Sequence, residues 1–327
     1  MATPLFVFIF GFMIEFVYVR RAQHIGLPTI YNRIFIRSFQ CYIAYALTSF
    51  SAVLGGYKSI EGFLSSLLFF SNSRFGNILR TYSVMLLFVP FIIKLRLKFG
   101  VKFIFFSLIL LITSYSFIDE FQSIDFGFFN HQFNILFGVG LHKGGPSVYG
   151  ALSFCFAGMF MASSLSRDEI ENDNSLSNFY FASLVLLITL LFLGNAFIKE
   201  DIIEAWKLFS GFTYRKNNAP AYYIIGTFGS VLTITLFCFL IGYRTLPKPI
   251  KFILPIGTSS LISYTAGNII LNLLSVRANS MNLFVFVILF FFAIILIVRH
   301  INIFPYFNFF SDLMNFKYHK ASQRISR

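Results

Sequence analysis

Long apolar runs separated by short polar turns dominate the chain from end to end. The first, residues 3 to 19, is interrupted only by Glu15. At about 1.5 Å rise per residue it just reaches across a hydrocarbon core of about 30 Å. Further runs follow at 34–54, 80–95, 102–118, 147–165, 179–198, 221–243, 251–274 and 283–299. Backbone polar groups must be satisfied inside a bilayer, which permits helices or a closed barrel, and these runs are continuously apolar rather than alternating. The pattern predicts an all-α, polytopic transmembrane helix bundle of about nine spans, with residues 1–327 forming a single transmembrane domain. A shorter apolar piece, Gly62 to Ser71, is too brief to cross and reads as a re-entrant or interfacial segment.

Composition agrees with that class. Of 327 residues, 57% are hydrophobic and only 12% charged, a balance that a soluble core cannot absorb in runs of this length. The formal net charge of +13 raises the possibility of nucleic acid. The placement of the cations argues against it: Arg20, Arg21, the 94–102 turn, Arg244 to Lys251 and the tail from Arg299 lie in turns that fall on one side of the bundle. That is the positive-inside pattern, with anionic membrane lipids as the partner. It puts Met1 outside the cytoplasm and Arg327 inside. The acidic turn at 166–178 dissents by falling on the inner side. The first run has no basic segment before it and no small-residue cleavage site after it, so it does not read as a signal peptide. A chain that starts outside reads as a ten-span protein without its opening span.

Candidate chemistry is sparse. Glu15 is an ionisable group within a span; it reads either as a functional carboxylate or as one that reaches Arg20, Arg33 or Arg37. Arg33 and Arg37 stand four apart and share a helix face at the inner edge of the second span, suited to phosphates of a nucleotide-bearing donor or simply to anchoring. In the loop 119–146, His131 and His142 accompany Asp119, Glu120 and Asp125, and a histidine oriented by a carboxylate is the base that a hydroxyl needs to attack an acyl carbonyl. Asn218 and Tyr222, in the aromatic stretch from Tyr214, fit either an interfacial belt or a sugar-stacking edge. Tyr264 and Asn268, four apart, line a polar cavity or join helices by hydrogen bonds. Cys41, Cys155 and Cys238 fall inside spans without Cys-x-x-Cys spacing and read as buried apolar residues. No Gly-rich phosphate loop or metalloprotease pattern occurs, which predicts no metal and no bound cofactor.

Several stretches together resemble integral-membrane acyltransferase family 3, in its glucan-succinylating and polysaccharide O-acetylating branch. Pro4 to Phe12 is similar to that family's second helix, with Phe10 where Ser is usual. Arg33-x-x-x-Arg37-Ser-Phe-Gln-Cys-Tyr42 resembles the basic approach to its third helix, one residue wider than the common Arg-x-x-Arg. Ile78 to Tyr82 with Pro90 resembles the branch's Leu-x-x-Tyr stretch, and Gly145-Pro146-Ser147 with Phe156 to Met159 resembles its later Gly-Met helix. The resemblance implies ten helices and transfer of an acyl group, acetyl or succinyl, from cytoplasmic acyl-CoA as co-substrate to a hydroxyl of a surface or periplasmic glycan. It implies donor binding at Arg33 and Arg37 and adds Tyr82 to Asn218, Tyr222, Tyr264 and Asn268 as acceptor or cavity residues. The family's first helix carries its catalytic histidine, and this chain begins where the second should, so the resemblance leaves the base unassigned. The rival expectations are a non-catalytic carrier or assembly protein for surface polysaccharide, or an inactive family member.

Overall fold

The computed structural model describes residues 2–73, 75–121, 124–139, 147–165, 173–197, 220–241 and 260–273, with Phe290, Ala293 and Leu296. Every regular element among the described residues is helical. Two compact units result, residues 1–244 and 245–327.

In the first unit, α1 (Ala2–Met13) runs into a π-helical stretch (Ile14–Val19) and then α2 (Arg20–Ile25). Gly26, at φ 81°, ends it in a conformation that a side chain disfavours, and Pro28 opens α3 (Leu27–Leu54) where its missing N–H costs nothing. A short helix, α4 (Ile60–Leu67), precedes α5 (Asn77–Phe99). Gly100, at φ 74°, is the whole turn between α5 and α6 (Val101–Phe121). After a 3₁₀ turn at Gly127–Phe129 come α7 (Asn130–Phe137), α8 (Val148–Ser163), α9 (Asp173–Phe197) and α10 (Pro220–Ile241). In the second unit the described helix is α11 (Ser260–Leu273).

Helix α8 is the centre of the first unit. It is buried on nearly every side, meeting α1, α6, α7, α9 and α10. Its small residues make this possible. Gly158 lies against the Phe8 and Phe12 backbone of α1, while Gly11 of α1 lies against the Cys155 backbone of α8. Such reciprocal small-residue contacts let two backbones approach as they do between membrane helices, where no hydrophobic force separates helix from lipid.

The outer faces are apolar. On α3, Phe35, Phe39, Ile43, Leu47, Phe50 and Leu54 form an exposed stripe, with Phe39 64% exposed. Ser38, Thr48, Ser49 and Ser51 of the same helix are buried. Helix α9 repeats the arrangement with Phe181, Leu184, Ile188 and Phe192 outward and Phe179, Leu186 and Leu190 inward. Water would penalise these stripes heavily, whereas lipid would not.

Four helices among the described residues are both long and apolar enough to cross a membrane: Thr3–Gln23, Asn77–Phe99, Ser177–Ala196 and Tyr222–Phe239. Val101–Ser114, Val148–Ser163 and Leu261–Leu273 are shorter apolar helices. About nine spans were expected. Helix α3 has the length but not the hydropathy, because it carries Arg33, Arg37, Gln40 and four buried serines and threonines. The helix that covers the expected 34–54 span begins at Leu27, and the helix that covers the expected 179–198 span begins at Asp173. The run at 62–71 divides between α4, which starts earlier at Ile60, and the turn after it, tied down by Tyr42 and Tyr45, whose hydroxyls donate to the carbonyls of Leu67 at 3.0 Å and Ser66 at 2.8 Å. The loop 199–220, expected on the outer side, lies outside the described residues up to residue 219, as does most of the expected 283–299 span.

Candidate functional site

The buried charged side chains described in the first unit, Glu15 and Arg80, lie at the two ends of α5. At its C-terminal end, Glu15, only 4% exposed, accepts a forked set of hydrogen bonds from Arg96: Nη2 to Oε1 at 2.7 Å, Nε to Oε1 at 3.1 Å and Nε to Oε2 at 3.2 Å. The π-helical stretch carries this carboxylate. The extra residue per turn in such a stretch changes which side chains face a neighbouring helix, and π segments recur where a polar group must be aimed. The partner expected for Glu15 was Arg20, Arg33 or Arg37. Arg96 takes the hydrogen bonds because α5 packs against the π-helical stretch, while Arg20, over the Phe16 ring at 4.3 Å from its centroid, adds its charge. A carboxylate bound by a fork of this kind is a charge partner first.

Arg33 and Arg37 both lie on α3, as expected, and stand four residues apart. Because α3 starts at Leu27, Arg33 is about 9 Å and Arg37 about 15 Å along the helix from its beginning, at 1.5 Å per residue. Arg37 is exposed and donates from Nη1 to Gln40 Oε1 at 2.8 Å. Ser38, next to it, is buried and donates to the Ser83 carbonyl of α5 at 2.7 Å.

The histidines divide. His131 lies in the first turn of α7, half-buried. Asp125, expected among its neighbours, accepts from the Gly127 N–H at 2.8 Å and from the Asn130 amide. His142, Asn218 and their neighbours lie outside the described residues. Tyr82 is a packing residue: its hydroxyl donates to the Phe6 carbonyl at 2.7 Å and its ring meets Phe6 and Phe10 at 4.9 and 4.7 Å. Tyr222 is buried against Phe154 and Tyr223. In the second unit, Tyr264 and Asn268 hydrogen-bond to each other one turn apart on α11. The structure thus brings Tyr82 to α1 and Tyr222 to α8.

Three polar arrangements escaped the sequence reading. The Tyr223 hydroxyl accepts from the Ser147 N–H at 3.0 Å and lies 3.3 Å from Ser147 Oγ, with Gly150 beneath its ring. Ser114 Oγ and Tyr149 OH are 2.6 Å apart, joining α6 to α8. At the N-terminal end of α5, Arg80 is fully buried near Lys58 and a cavity of about 450 Å³. The sequence signal for this last group was a cation at the first position of the expected 80–95 span. A second cavity, about 470 Å³, between α6, α8 and α9, is lined mainly by apolar side chains such as Val101, Phe160 and Phe181. No group of three or more His, Cys, Asp or Glu side chains able to hold a metal occurs among the described residues.

Helical elements throughout, outward apolar stripes and inward polar groups define an all-helical integral-membrane protein. Residues 1–58, which hold α1 to α3 and both Arg33 and Arg37, are similar to the family model described as OpgC protein. The resemblance expected over most of the chain is matched over that segment. No curated protein matches the chain, and no solved structure does.

Proposed function

We propose that the chain is an integral-membrane O-acyltransferase that moves a succinyl or acetyl group from a cytoplasmic coenzyme A thioester to a hydroxyl of a cell-surface or periplasmic glycan. The observation that carries this reading is the match of residues 1–58 to the OpgC model, whose family is of membrane glucan succinyltransferases of the acyltransferase-3 kind. In the reaction the glycan oxygen attacks the thioester carbonyl, a C–O bond forms, the C–S bond breaks, and the hydroxyl proton ends on the coenzyme sulfur. Arg33 and Arg37, within the matched segment, are the groups proposed to hold the donor's phosphates. Their flat, permanently charged forks suit phosphate oxygens. Glu15 is given the structural role, because Arg96 already occupies its oxygens. His131 and His142 keep the role of candidate bases.

Membranes containing the chain, supplied with labelled succinyl-CoA or acetyl-CoA and glucan, are expected to place label in the glycan. Arg37→Ala is expected to lower transfer at least about tenfold, the equivalent of about 1.4 kcal/mol of transition-state binding. Glycan retained by the membranes without incorporation of label from either donor would overturn the reading in favour of a carrier.

A further inference from the structure

The N-terminal end of α5 holds two cations with no carboxylate bound to either among the described residues. Arg80, in the first turn of α5, is 0% exposed. Its Nη1 donates to the Ser71 carbonyl at 3.4 Å and its Nη2 to Asn72 Oδ1 at 3.2 Å, and the Tyr45 oxygen accepts a further hydrogen bond from it. Its Nε is buried and has no partner among the described residues. Lys58 comes from the loop between α3 and α4, and its Nζ donates to Ser71 Oγ at 3.1 Å and to the Asn72 carbonyl at 2.9 Å. Both cations therefore hold the same two residues, and every acceptor they have is neutral. Among the described residues the ion pair is Glu15 with Arg96, about 24 Å along α5 from Arg80 at 1.5 Å per residue. Glu61, the nearest acid to Lys58 in the chain, is exposed and makes no ion pair with either cation.

Charge of one sign accumulates here. Burial first, and the Arg80 charge second, hold the Lys58 ammonium below its ordinary titration range. The positive end of the α5 dipole, at Gly76 and Asn77, adds to them. A buried guanidinium with only neutral, partly long hydrogen bonds is costly to keep unless something of opposite charge comes to it. Beside it lies the cavity of about 450 Å³, lined by Ala52, Tyr57, Lys58, Asn72 and Ser73. Its lining offers the Lys58 ammonium, the Asn72 amide and the Ser73 hydroxyl beside Ala52 and Tyr57.

We propose that this cavity binds the phosphate group of a ligand, with Lys58 and Ser73 touching its oxygens and Arg80 acting as a positioning residue that fixes the Ser71–Asn72 segment and adds its field. The site stands apart from the acyl-transfer reading. Its ligand is either a soluble phosphate or an anionic lipid headgroup, which present the same oxygens.

The test uses the full chain and compares wild type with Lys58→Gln. In detergent, the unfolding midpoint is followed against inorganic phosphate, with chloride keeping ionic strength constant. In nanodiscs, it is followed against phosphatidylglycerol in a phosphatidylcholine background. A ligand that binds only the folded state raises the midpoint saturably. Wild type is expected to saturate in at least one arm, the arm identifying the source. Lys58→Gln is expected to raise the half-saturating concentration at least about tenfold, as loss of a charge-assisted hydrogen bond requires. Arg80→Lys is expected to keep much of the affinity that Arg80→Gln loses. Should Arg80→Gln fail to fold, the Lys58 comparison still decides. No saturation in either arm, or half-saturation within about threefold between wild type and Lys58→Gln, would overturn the proposal.

Discussion

The close approach of α1 and α8 gives the sharpest stability prediction, through Gly158→Ala. A Cβ at position 158 would lie 2.0 Å from the Phe8 carbonyl oxygen, 2.8 Å from the Phe12 nitrogen and 3.0 Å from the Phe8 carbonyl carbon. All three are backbone atoms, so no rotamer change relieves the clash. Reaching an ordinary contact of 3.4 Å requires α1 to recede by about 1.4 Å. That movement would also open the reciprocal contact, where Gly11 meets the Cys155 backbone. Overpacking of this kind costs about 1–3 kcal/mol, with the upper end expected here, and alanine's better helix propensity returns up to about 1 kcal/mol. The net loss is about 2 kcal/mol, or roughly 4–8 °C in midpoint for a unit of this size.

Cys155 reports the event directly. It is fully buried at that interface, so a maleimide reaches it only when α1 leaves α8. In a background with Cys41→Ala and Cys238→Ala, the temperature of half-labelling is expected to fall by that amount in Gly158→Ala. Gly62→Ala serves as the control, since its Cβ meets the flexible Lys58 side chain at 3.1 Å, and its shift should stay within about 0.5 kcal/mol. A labelling midpoint for Gly158→Ala equal to the control would mean that α1 does not pack against α8 as described.

Three further outcomes follow from the same geometry. Glu15→Gln leaves the Arg96 guanidinium, largely buried, without its carboxylate and is expected to destabilise by about 3 kcal/mol, while the double variant with Arg96→Gln recovers part of the loss in a denaturation cycle; additive losses would deny the pair. Tyr223→Phe removes the acceptor of the buried Ser147 N–H and should cost about 1–2 kcal/mol by the same unfolding assay, whereas an unchanged midpoint would show that this hydrogen bond does not stabilise the fold. For Lys58 the pH dependence has a fixed sign. Its folded titration lies below its unfolded value of 10.5, so in the alkaline window beneath 10.5 the folded chain holds fewer protons, and the unliganded protein gains stability as pH rises. Phosphate affinity should fall through that same window as the ammonium is lost, and a flat affinity up to pH 10.5 would remove Lys58 from the contact.

Much of the helical class was legible because it depends on nearest neighbours in sequence: uninterrupted apolar runs and the glycines that stop them. The Gly100 turn between α5 and α6 could be anticipated from the tight basic 94–102 segment on its own. What the runs do not encode is which faces meet. Glu15 was expected to take a cation from the nearby basic turn, and instead Arg96, 81 residues away, reaches it because the π-helical stretch faces α5. Gly11 and Gly158 look like any small residues in apolar runs until two backbones are seen to touch through them.

Arg80 is the instructive failure. At the first position of an expected span, a cation has two very different fates, one in water beyond the helix end and one inside the protein. Hydropathy gives both the same appearance. The difference arises from Lys58, Ser71 and Asn72, which fold back over the start of α5 only because Tyr42 and Tyr45 of α3 hold the end of α4 through backbone carbonyls. Each of those tyrosines was read as part of an apolar span. Removing the Tyr45 hydroxyl, as in Tyr45→Phe, would therefore loosen the Ser66 anchor and remove one of the hydrogen bonds to Arg80 in a single step. The burial of that charge is a property of the tertiary fold, and the sequence around Arg80 contains no local trace of it.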